Sequence, residues 1–330
     1  MGAIGGVQEG ELRVLYTNID GLVAKKLELQ DMICDRKPDL VCITETKLKK
    51  SIEMELLGWS KYNIWRRDRK EKAGGGVCIL TDRRLVVREI DLKTNRAEIV
   101  VIEISVEKRT KLVVVAVYVP PLMGAWSRQD HDLLKRDTLV VLQDLMKCRD
   151  RILICGDFNC KEVSWEDFEA GSEDGSWYSC FLNLMVENTM YQHVKETTRE
   201  RGGDSPARLD LVFTREESEI TNVDYLPPLG KSDHLVLDIN MRMECNYLKK
   251  EESIAENKLK FAKTDFSKFK EYLKAQDWSE VREGSGVENK LHAFMKVYEQ
   301  GVKRFVPKAQ QTRGGRKEWF NLACRKAKVE

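Results

Sequence analysis

Short apolar runs of strand length, each stopping abruptly on polar residues, are what most constrain this chain. The sharpest is Arg151-Ile152-Leu153-Ile154-Cys155, which meets Gly156 and then presents Asp157-Phe158-Asn159. Apolar runs of this length bounded by turn residues read as strands. In an extended chain residues i and i+2 point to the same side. The spacing therefore predicts that Asp157 and Asn159 face one pocket while Phe158 turns back into the core. A carboxylate can bind a metal or orient water, and a carboxamide can grip a phosphate oxygen. Gly, Asp and Asn are also the ordinary residues of a strand-end turn, so this stretch alone leaves site and turn both open.

The same pattern recurs along the chain. Strands are predicted at Leu12 to Asn18, Leu40 to Ile43, Tyr62 to Trp65, Val77 to Thr81, Leu85 to Ile90, Ala97 to Ser105, Leu112 to Val119, Arg208 to Phe213 and Leu235 to Ile239. Helical spacing appears at Leu22 to Asp35, through Leu134, Thr138, Val141, Leu142 and Leu145, and around Cys180 to Val186. A polar hairpin region lies between Lys195 and Pro206. Many short strands with helices between them point to an α/β class with two sheets packed face to face. Gly74-Gly75-Gly76 is not followed by Lys-Ser/Thr, so it reads as a hairpin entry and not as a phosphate loop.

After Asn246 the character changes. Phe266, Phe269, Tyr272 and Leu273 make one helical stripe, and Leu291, Phe294, Met295, Tyr298 and Val302 make another. Both are expected to be core faces of helices. Gln310 to Lys317 reads as a polar linker, and residues 1–10 read as a flexible lead-in.

The 330 residues suffice for one large domain plus an appendage. The net charge of +2 conceals an asymmetry. The part after Cys245 carries about 20 basic against about 12 acidic residues, which leaves the earlier part net acidic. An acidic body does not attract polyanions in bulk, so a nucleic-acid substrate would require local basic residues or bound cations. No apolar run approaches the roughly 20 residues of a membrane span. The start of the chain lacks the basic and apolar regions of a signal peptide. The nine scattered cysteines form no Cys-x-x-Cys pair, and Cys42, Cys78 and Cys155 lie in apolar runs. Buried free thiols and an intracellular, reducing compartment are expected.

Polar residues punctuate one predicted strand after another. Asn18 ends the first, Glu45 follows the second, Tyr118 lies near the end of a long one, and Asp157 and Asn159 close the next. Asp210 sits in Arg208-Leu209-Asp210, and Ser232-Asp233-His234 precedes the last strand. Such ends gather side chains around one mouth. In order, these pieces resemble the endonuclease/exonuclease/phosphatase superfamily: Tyr16-Thr17-Asn18-Ile19-Asp20-Gly21-Leu22, Ile43-Thr44-Glu45-Thr46-Lys47, Tyr118-Val119-Pro120, Gly156-Asp157-Phe158-Asn159, Arg208-Leu209-Asp210 and Ser232-Asp233-His234. Each motif is weak alone, and together they span roughly residues 11–242. Within the superfamily the likeness is nearest to the endonuclease domain of LINE-type (non-LTR) retrotransposon polyproteins. It is carried by Thr197-Thr198-Arg199 upstream of Leu209-Asp210-Leu211-Val212-Phe213-Thr214, and by Arg316-Lys317-Glu318-Trp319-Phe320-Asn321, similar to the lead-in to their reverse transcriptase.

The resemblance implies a four-layered α/β sandwich, two packed mixed β-sheets flanked by helices, over residues 11–245. A C-terminal helical extension, the basic helical linker 246–330, would precede a reverse transcriptase, itself absent since no Asp-Asp pair occurs. It implies a Mg²⁺-dependent (or Mn²⁺-dependent) hydrolase that nicks double-stranded DNA, acting in the nucleus, with element RNA as a possible partner of the basic tail. Glu45 would be the main metal ligand, with Asp20 and Asp233 as second ligands. Asp157 would orient or deprotonate the attacking water, and Asn159 and Asn18 would hold phosphate oxygens or ligands. His234, oriented by Asp210, would stabilise the transition state, and Tyr118 would contact phosphate. Thr198, Arg199 and Arg208 would meet DNA. Abasic-site endonuclease activity is the alternative within enzymes, and a catalytically idle nucleic-acid-binding remnant the alternative outside them. Two positions depart from the family pattern: Pro121 stands where relatives carry Asn, and Ala207 where many LINE nucleases carry Ser. His131, His193 and His292 read as ordinary surface or core residues, and Trp59, Trp65 and Trp165 as packing residues. Trp126 lies in a loop that could reach DNA.

Overall fold

In one six-stranded sheet the order is β13 (Ile220–Leu226), β14 (Val236–Arg242), β1 (Glu11–Asn18), β2 (Leu40–Thr44), β4 (Val77–Asp82) and β3 (Tyr62–Arg67). The other runs β11 (Tyr191–Gln192), β12 (Asp210–Thr214), β8 (Arg151–Asp157), β7 (Thr110–Tyr118), β6 (Glu98–Glu107) and β5 (Val87–Glu89). A small ribbon, β9 (Val163–Ser164) with β10 (Glu169–Ala170), stands apart. This computed structural model describes residues 10–52, 59, 61–70, 72–92, 96–107, 110–122, 126–171, 175–242, 264–283 and 286–307.

Period-two alternation sorts the strand residues into layers. Leu12, Val14 and Tyr16 of β1 join Leu112, Val114 and Ala116 of β7 and Leu153 and Cys155 of β8 in one core between the sheets. Leu15, Val41 and Ile43 point the other way, onto Leu29 and Ile33 of helix α1 (Lys26–Arg36). Val113, Val115 and Val117 likewise meet Leu134, Leu142 and Phe181, from α2 (Arg128–Met146) and α3 (Trp177–Glu187). Helix, sheet, sheet, helix: the expected four-layered sandwich is the observed one. Ser127 and Ser176 cap α2 and α3, each accepting from the backbone N–H three residues on. Burying valine, isoleucine and leucine of both sheets in three clusters supplies the main favourable term, about 25 cal/mol per Å² of apolar surface removed from water.

Register brings the site to one rim. β1 and β2 are parallel, and β14 returns antiparallel so that Thr17 faces Val236. In the second sheet β7 and β8 are parallel, with Tyr118 opposite Asp157, and antiparallel β12 sets Asp210 opposite Asp157. Gly156 is required there, since a Cβ would collide with the Val117 carbonyl on β7.

Two sequence expectations shift. The edge strand β13 was not foreseen, because a bulge between Ile220 and Asn222 breaks its alternation and half of it faces water. Leu85 to Ile90 forms only the short β5, with Ile90 bonding to Val101 beyond the ladder.

The chain divides into two compact units, Met1–Glu251 and Glu252–Glu330. In the second, α4 (Phe266–Lys274), α5 (Ser279–Glu283) and α6 (Val287–Phe305) are described. The Phe269 ring lies 6.0 Å from those of Tyr298 and Phe305, and Gly301 leaves room for it. Neither stripe is wholly the core face expected: Phe266 of the first is 58% exposed, and Leu291, Phe294 and Met295 of the second are 46%, 41% and 38% exposed. The lead-in (residues 1–9), the break at residue 246, the linker 310–317 and the stretch 316–321 lie outside the described residues. Among the described residues no helix is long and apolar enough to cross a membrane, and the cysteines are free, with Cys42, Cys78 and Cys155 buried.

Candidate active site

The inter-sheet core turns polar at that rim. Tyr16, Asn18 and Thr44 continue the inward-facing positions of the first sheet, and Tyr118, Asp157 and Asp210 those of the second. Hydrogen bonds then cross between the sheets. Asn18 Nδ2 donates to Asp157 Oδ2 at 2.9 Å, and Tyr16 Oη donates to Asp210 Oδ1 at 2.7 Å. Asp210 Oδ2 lies 2.7 Å from His234 Nδ1. Ser232 Oγ donates to the Asn18 carbonyl at 2.8 Å and accepts from the His234 amide at 3.3 Å, tying the turn before β14 to the end of β1. Asp157, Asp210 and His234 are all buried.

The electrostatics follow from this crowding. Burial pushes the Asp157 carboxyl up, the Asp210 charge pushes it further, and Glu45 adds to the rise; against His234 and the Asn18 hydrogen bond it settles at about 8. Burial alone would lower the His234 imidazolium, but the Asp210 carboxylate outweighs it, with Asp157 and Asp233 adding, and lifts it to about 9. Burial and neighbouring carboxylates thus favour a protonated Asp157 beside an imidazole whose charge Asp210 supports.

Asn159 departs from the geometry expected of it. The strand ends at Asp157, and Asn159 takes a left-handed backbone with φ 49°. Its amide N–H donates to Asp157 Oδ1 at 3.1 Å and its Nδ2 to the Val119 carbonyl at 2.8 Å. It therefore supports Asp157 and does not stand beside it on a strand face, because the alternation stops where the extended backbone stops.

Glu45 also has a left-handed backbone, φ 49°, and receives the Tyr118 hydroxyl on Oε1. Lys47 Nζ lies 3.8 Å from its Oε2 and pairs more closely with Asp20. Lys25 Nζ also reaches Asp20, at 3.6 Å from Oδ2. Burial would raise the Asp20 carboxyl, but the two lysines hold it below its usual range. Asp233 is paired with Arg199, Oδ2 to Nε at 2.9 Å. The three residues expected to gather around a metal thus differ: Asp20 and Asp233 already have cationic partners. The His/Cys/Asp/Glu group that could hold an ion among the described residues is Asp157, Asp210 and His234, with ligand atoms within 4.8 Å of one another. Glu45 is not in that group, although its charge, like that of Asp210, raises the Asp157 carboxyl, so the rim is rich in carboxylate oxygen. A hard divalent cation fits that chemistry.

The three residues expected at DNA are placed unequally. Thr198 is fully buried, and its Oγ1 accepts from the amides of Leu209 at 3.2 Å and Asp210 at 3.1 Å. Thr198 thus holds the start of β12 with its hydroxyl turned inward. Arg199 is engaged by Asp233, and Arg208 by Glu166 at 2.8 Å and the Lys195 carbonyl at 2.5 Å. Ala207 contributes its backbone, bonding both ways with Arg199. Pro121 is exposed just past β7. His131 bonds the Pro120 carbonyl at 2.7 Å and His193 the Thr214 hydroxyl at 2.6 Å, away from the rim cluster. Lys72 and Arg69 stand over the Trp126 ring at 4.0 and 5.2 Å.

Sequence reasoning missed Tyr16 and Thr44 as site residues. Tyr16 Oη lies 3.1 Å from Thr44 Oγ1 while donating to Asp210. Each stands at an apolar-run position and reads as core; the available signal was their place two residues or one residue ahead of Asn18 and Glu45.

A family model for the endonuclease/exonuclease/phosphatase family matches residues 15–234, from β1 to the turn before β14. The chain belongs to that family. A probable RNA-directed DNA polymerase from transposon BS of Drosophila melanogaster is 21% identical over 159 residues, 47% of this chain and 16% of that protein. This chain therefore spans only a small part of that relative. Among solved structures, the AP endonuclease LMAP of Leishmania major superposes with a TM-score of 0.57 at 15% identity, over 71% of this chain and 88% of that one. The endonuclease domain of TRAS1, a telomere-specific non-LTR retrotransposon, gives 0.53 at 18% identity, over 71% and 99%. An AP endonuclease from Archaeoglobus fulgidus gives 0.53 at 17%, over 70% and 99%. At these identities the superpositions establish a shared fold, and the family membership establishes a hydrolase of the nuclease and phosphatase type.

Proposed function

We propose that the chain is a Mg²⁺-dependent DNA endonuclease, nicking double-stranded DNA in a retrotransposon setting. The observation that carries the reading is the crossing of the two sheets at one rim, which brings Asn18, Asp157, Asp210 and His234 together with Glu45 nearby. Bound at the Glu45 side of this cluster, Mg²⁺ or Mn²⁺ would neutralise charge on the phosphate and on the leaving oxygen. Asp157, fixed by Asn18 and the Asn159 amide, orients the attacking water and takes its proton. His234, held through Nδ1 by Asp210, presents Nε2 to the phosphate and stabilises its developing charge. Tyr118, anchored on Glu45, lies beside the same oxygens. Double-stranded DNA is the substrate, approached by Arg199 and Arg208 of the hairpin once their acidic partners yield. Residues 246–330 are a basic linker that can add affinity for element RNA, and the site of action is the nucleus.

Nicking of supercoiled plasmid in Mg²⁺ tests the reading. Wild type should give open circles, with Asp157→Ala and His234→Ala slower by about 10²–10⁴. Equal nicking by all three would overturn it. Strong preference for a duplex with one abasic site over an intact one would move the assignment to abasic-site cleavage.

A further inference from the structure

The glycine run Gly74-Gly75-Gly76 takes no part in the chemistry above, yet it is tightly built in. All three residues have left-handed backbones, with φ 83°, 65° and 89°. A Cβ on Gly75 would collide with the Arg69 guanidinium and the Glu98 carboxylate, and one on Gly76 would lie 2.6 Å from Thr46 Oγ1. The run is wrapped around a buried ion pair. Arg69 Nε and Nη2 lie 2.7 and 2.6 Å from Glu98 Oε1, and the Gly76 amide donates to Glu98 Oε2 at 2.7 Å. Glu98 is only 4% exposed. On its other side the run holds the segment after β2: the Thr46 amide donates to the Gly76 carbonyl at 3.2 Å and the Lys47 amide to the Gly75 carbonyl at 2.8 Å. Glu45, with its left-handed backbone, stands immediately before that two-bond clamp. Arg69 also stands 5.8 Å over the ring of Tyr118, whose hydroxyl donates to Glu45.

We propose that Arg69, Glu98 and the glycine run are the positioning element for Glu45, setting both its backbone and, through Tyr118, its carboxylate for a divalent cation. The inference rests on the reading of Glu45 as a metal ligand. A buried ion pair adds little net stability against an apolar substitute, but its hydrogen bonds, here Arg69 Nε to Glu98 and Nη1 to the Ala73 carbonyl at 3.1 Å, fix geometry. Here the geometry fixed is that of the Glu45 segment, which the turn after β1 holds from the other side, the Gly21 amide donating to the Glu45 carbonyl at 2.8 Å and the Leu22 amide to the Thr46 carbonyl at 2.9 Å, so that the glycine run completes the clamp. Glycine alone allows it, because any side chain at residue 75 would displace the guanidinium and carry a backbone unfavourable to L residues.

The test is Mn²⁺ binding to the full chain without DNA, followed by electron paramagnetic resonance. Wild type should bind and Glu45→Gln should lose binding; if wild type does not bind, the reading of Glu45 falls and the inference with it. Given that wild type binds, Gly75→Ala and the neutral pair Arg69→Gln/Glu98→Gln should each weaken Mn²⁺ at least about tenfold, about 1.4 kcal/mol. Gly175→Ala, at a left-handed glycine with nothing within 4 Å, should leave it unchanged. Wild-type affinity in Gly75→Ala or in the neutral pair, with Glu45→Gln still defective, overturns the inference alone. Hydrogen exchange on the wild type needs no variant to fold: the Thr46 and Lys47 amides should be protected and slow further on adding Mg²⁺. Rapid exchange unaffected by Mg²⁺ overturns it equally.

Discussion

Buried carboxylates stand on the outer face of the first sheet and at the rim of the second, and the two places treat them differently. On the outer face of the first sheet Asp238 is gripped by Arg13, with Nε at 2.9 Å and Nη2 at 2.6 Å, and by Arg36 at 3.2 Å. Asp39 accepts the Arg13 amide at 3.2 Å and lies 3.7 Å from Arg84. At the rim Asp157 receives an asparagine side chain and a backbone amide, and Asp210 a tyrosine hydroxyl and an imidazole. The residue type is the same, but two guanidiniums balance one carboxylate on the first sheet, whereas at the rim a single imidazolium beside neutral donors serves two carboxyl groups. Acidic groups completed by arginine hold the sandwich together. Acidic groups left short of cation are available for a metal, a proton and a phosphate.

Removing the arginine is the most forceful way to break this contrast. Arg13→Met leaves buried Asp238 with Arg36 alone, and the melt should show a loss of about 3–5 kcal/mol, with nicking per folded molecule unchanged. A loss of nicking without a loss of stability would mean that the Arg13–Asp238 pair is part of the site. A smaller effect is expected from Tyr16→Phe, which takes one donor from Asp210. The turnover number should fall about 10- to 150-fold, corresponding to a lost hydrogen bond to a charged group of about 1.5–3 kcal/mol, with KM held. A variant as fast as wild type would reduce Tyr16 to packing.

The least effect, and the sharpest on charge, is in the pH dependence of stability without metal. His234 has a folded value raised to about 9 against 6.5, so its stabilisation is complete below about 6.5 and is lost as pH rises through about 9. Asp157 is raised to about 8 from 3.8, so the fold keeps a proton that the unfolded chain has released. Its contribution therefore also falls with rising pH, between those values. Thermal melts in chelator should drop from about pH 6.5 to 9. Asp157→Asn should remove part of that slope, and adding Mg²⁺ should flatten it. A melt flat with pH would show that the rim's charge is not in surplus.

Much of this was legible in the residue order, and the parts that were not share a cause. The apolar runs announced β1, β2, β4, β7 and β8, since a buried strand cannot avoid period two or a polar stop. Asp157, Asp210, His234 and Glu45 stood out because charged residues at the ends of such runs are conspicuous. Tyr16 and Thr44 were hidden for the opposite reason: an aromatic and a hydroxyl inside an apolar strand look like core until a partner from the other sheet is known. Thr198 looked exposed because it precedes a polar hairpin, and only the arrival of β12 turned it inward. The stripe of Leu291, Phe294 and Met295 showed helical spacing correctly, but spacing does not say which face is covered.

By itself the sequence determined the class, the strands, the family and the residue types at the rim, because those depend on local period and on short motifs. Tertiary structure decided which of those residues are partners. Asp20 went to Lys25 and Lys47, Asp233 to Arg199, Asp210 to Tyr16 and His234, and Gly75 to the Arg69–Glu98 pair. Those pairings span separations from a few residues to nearly two hundred and depend on sheet register. A one-residue slip in register would turn every rim side chain to the opposite face.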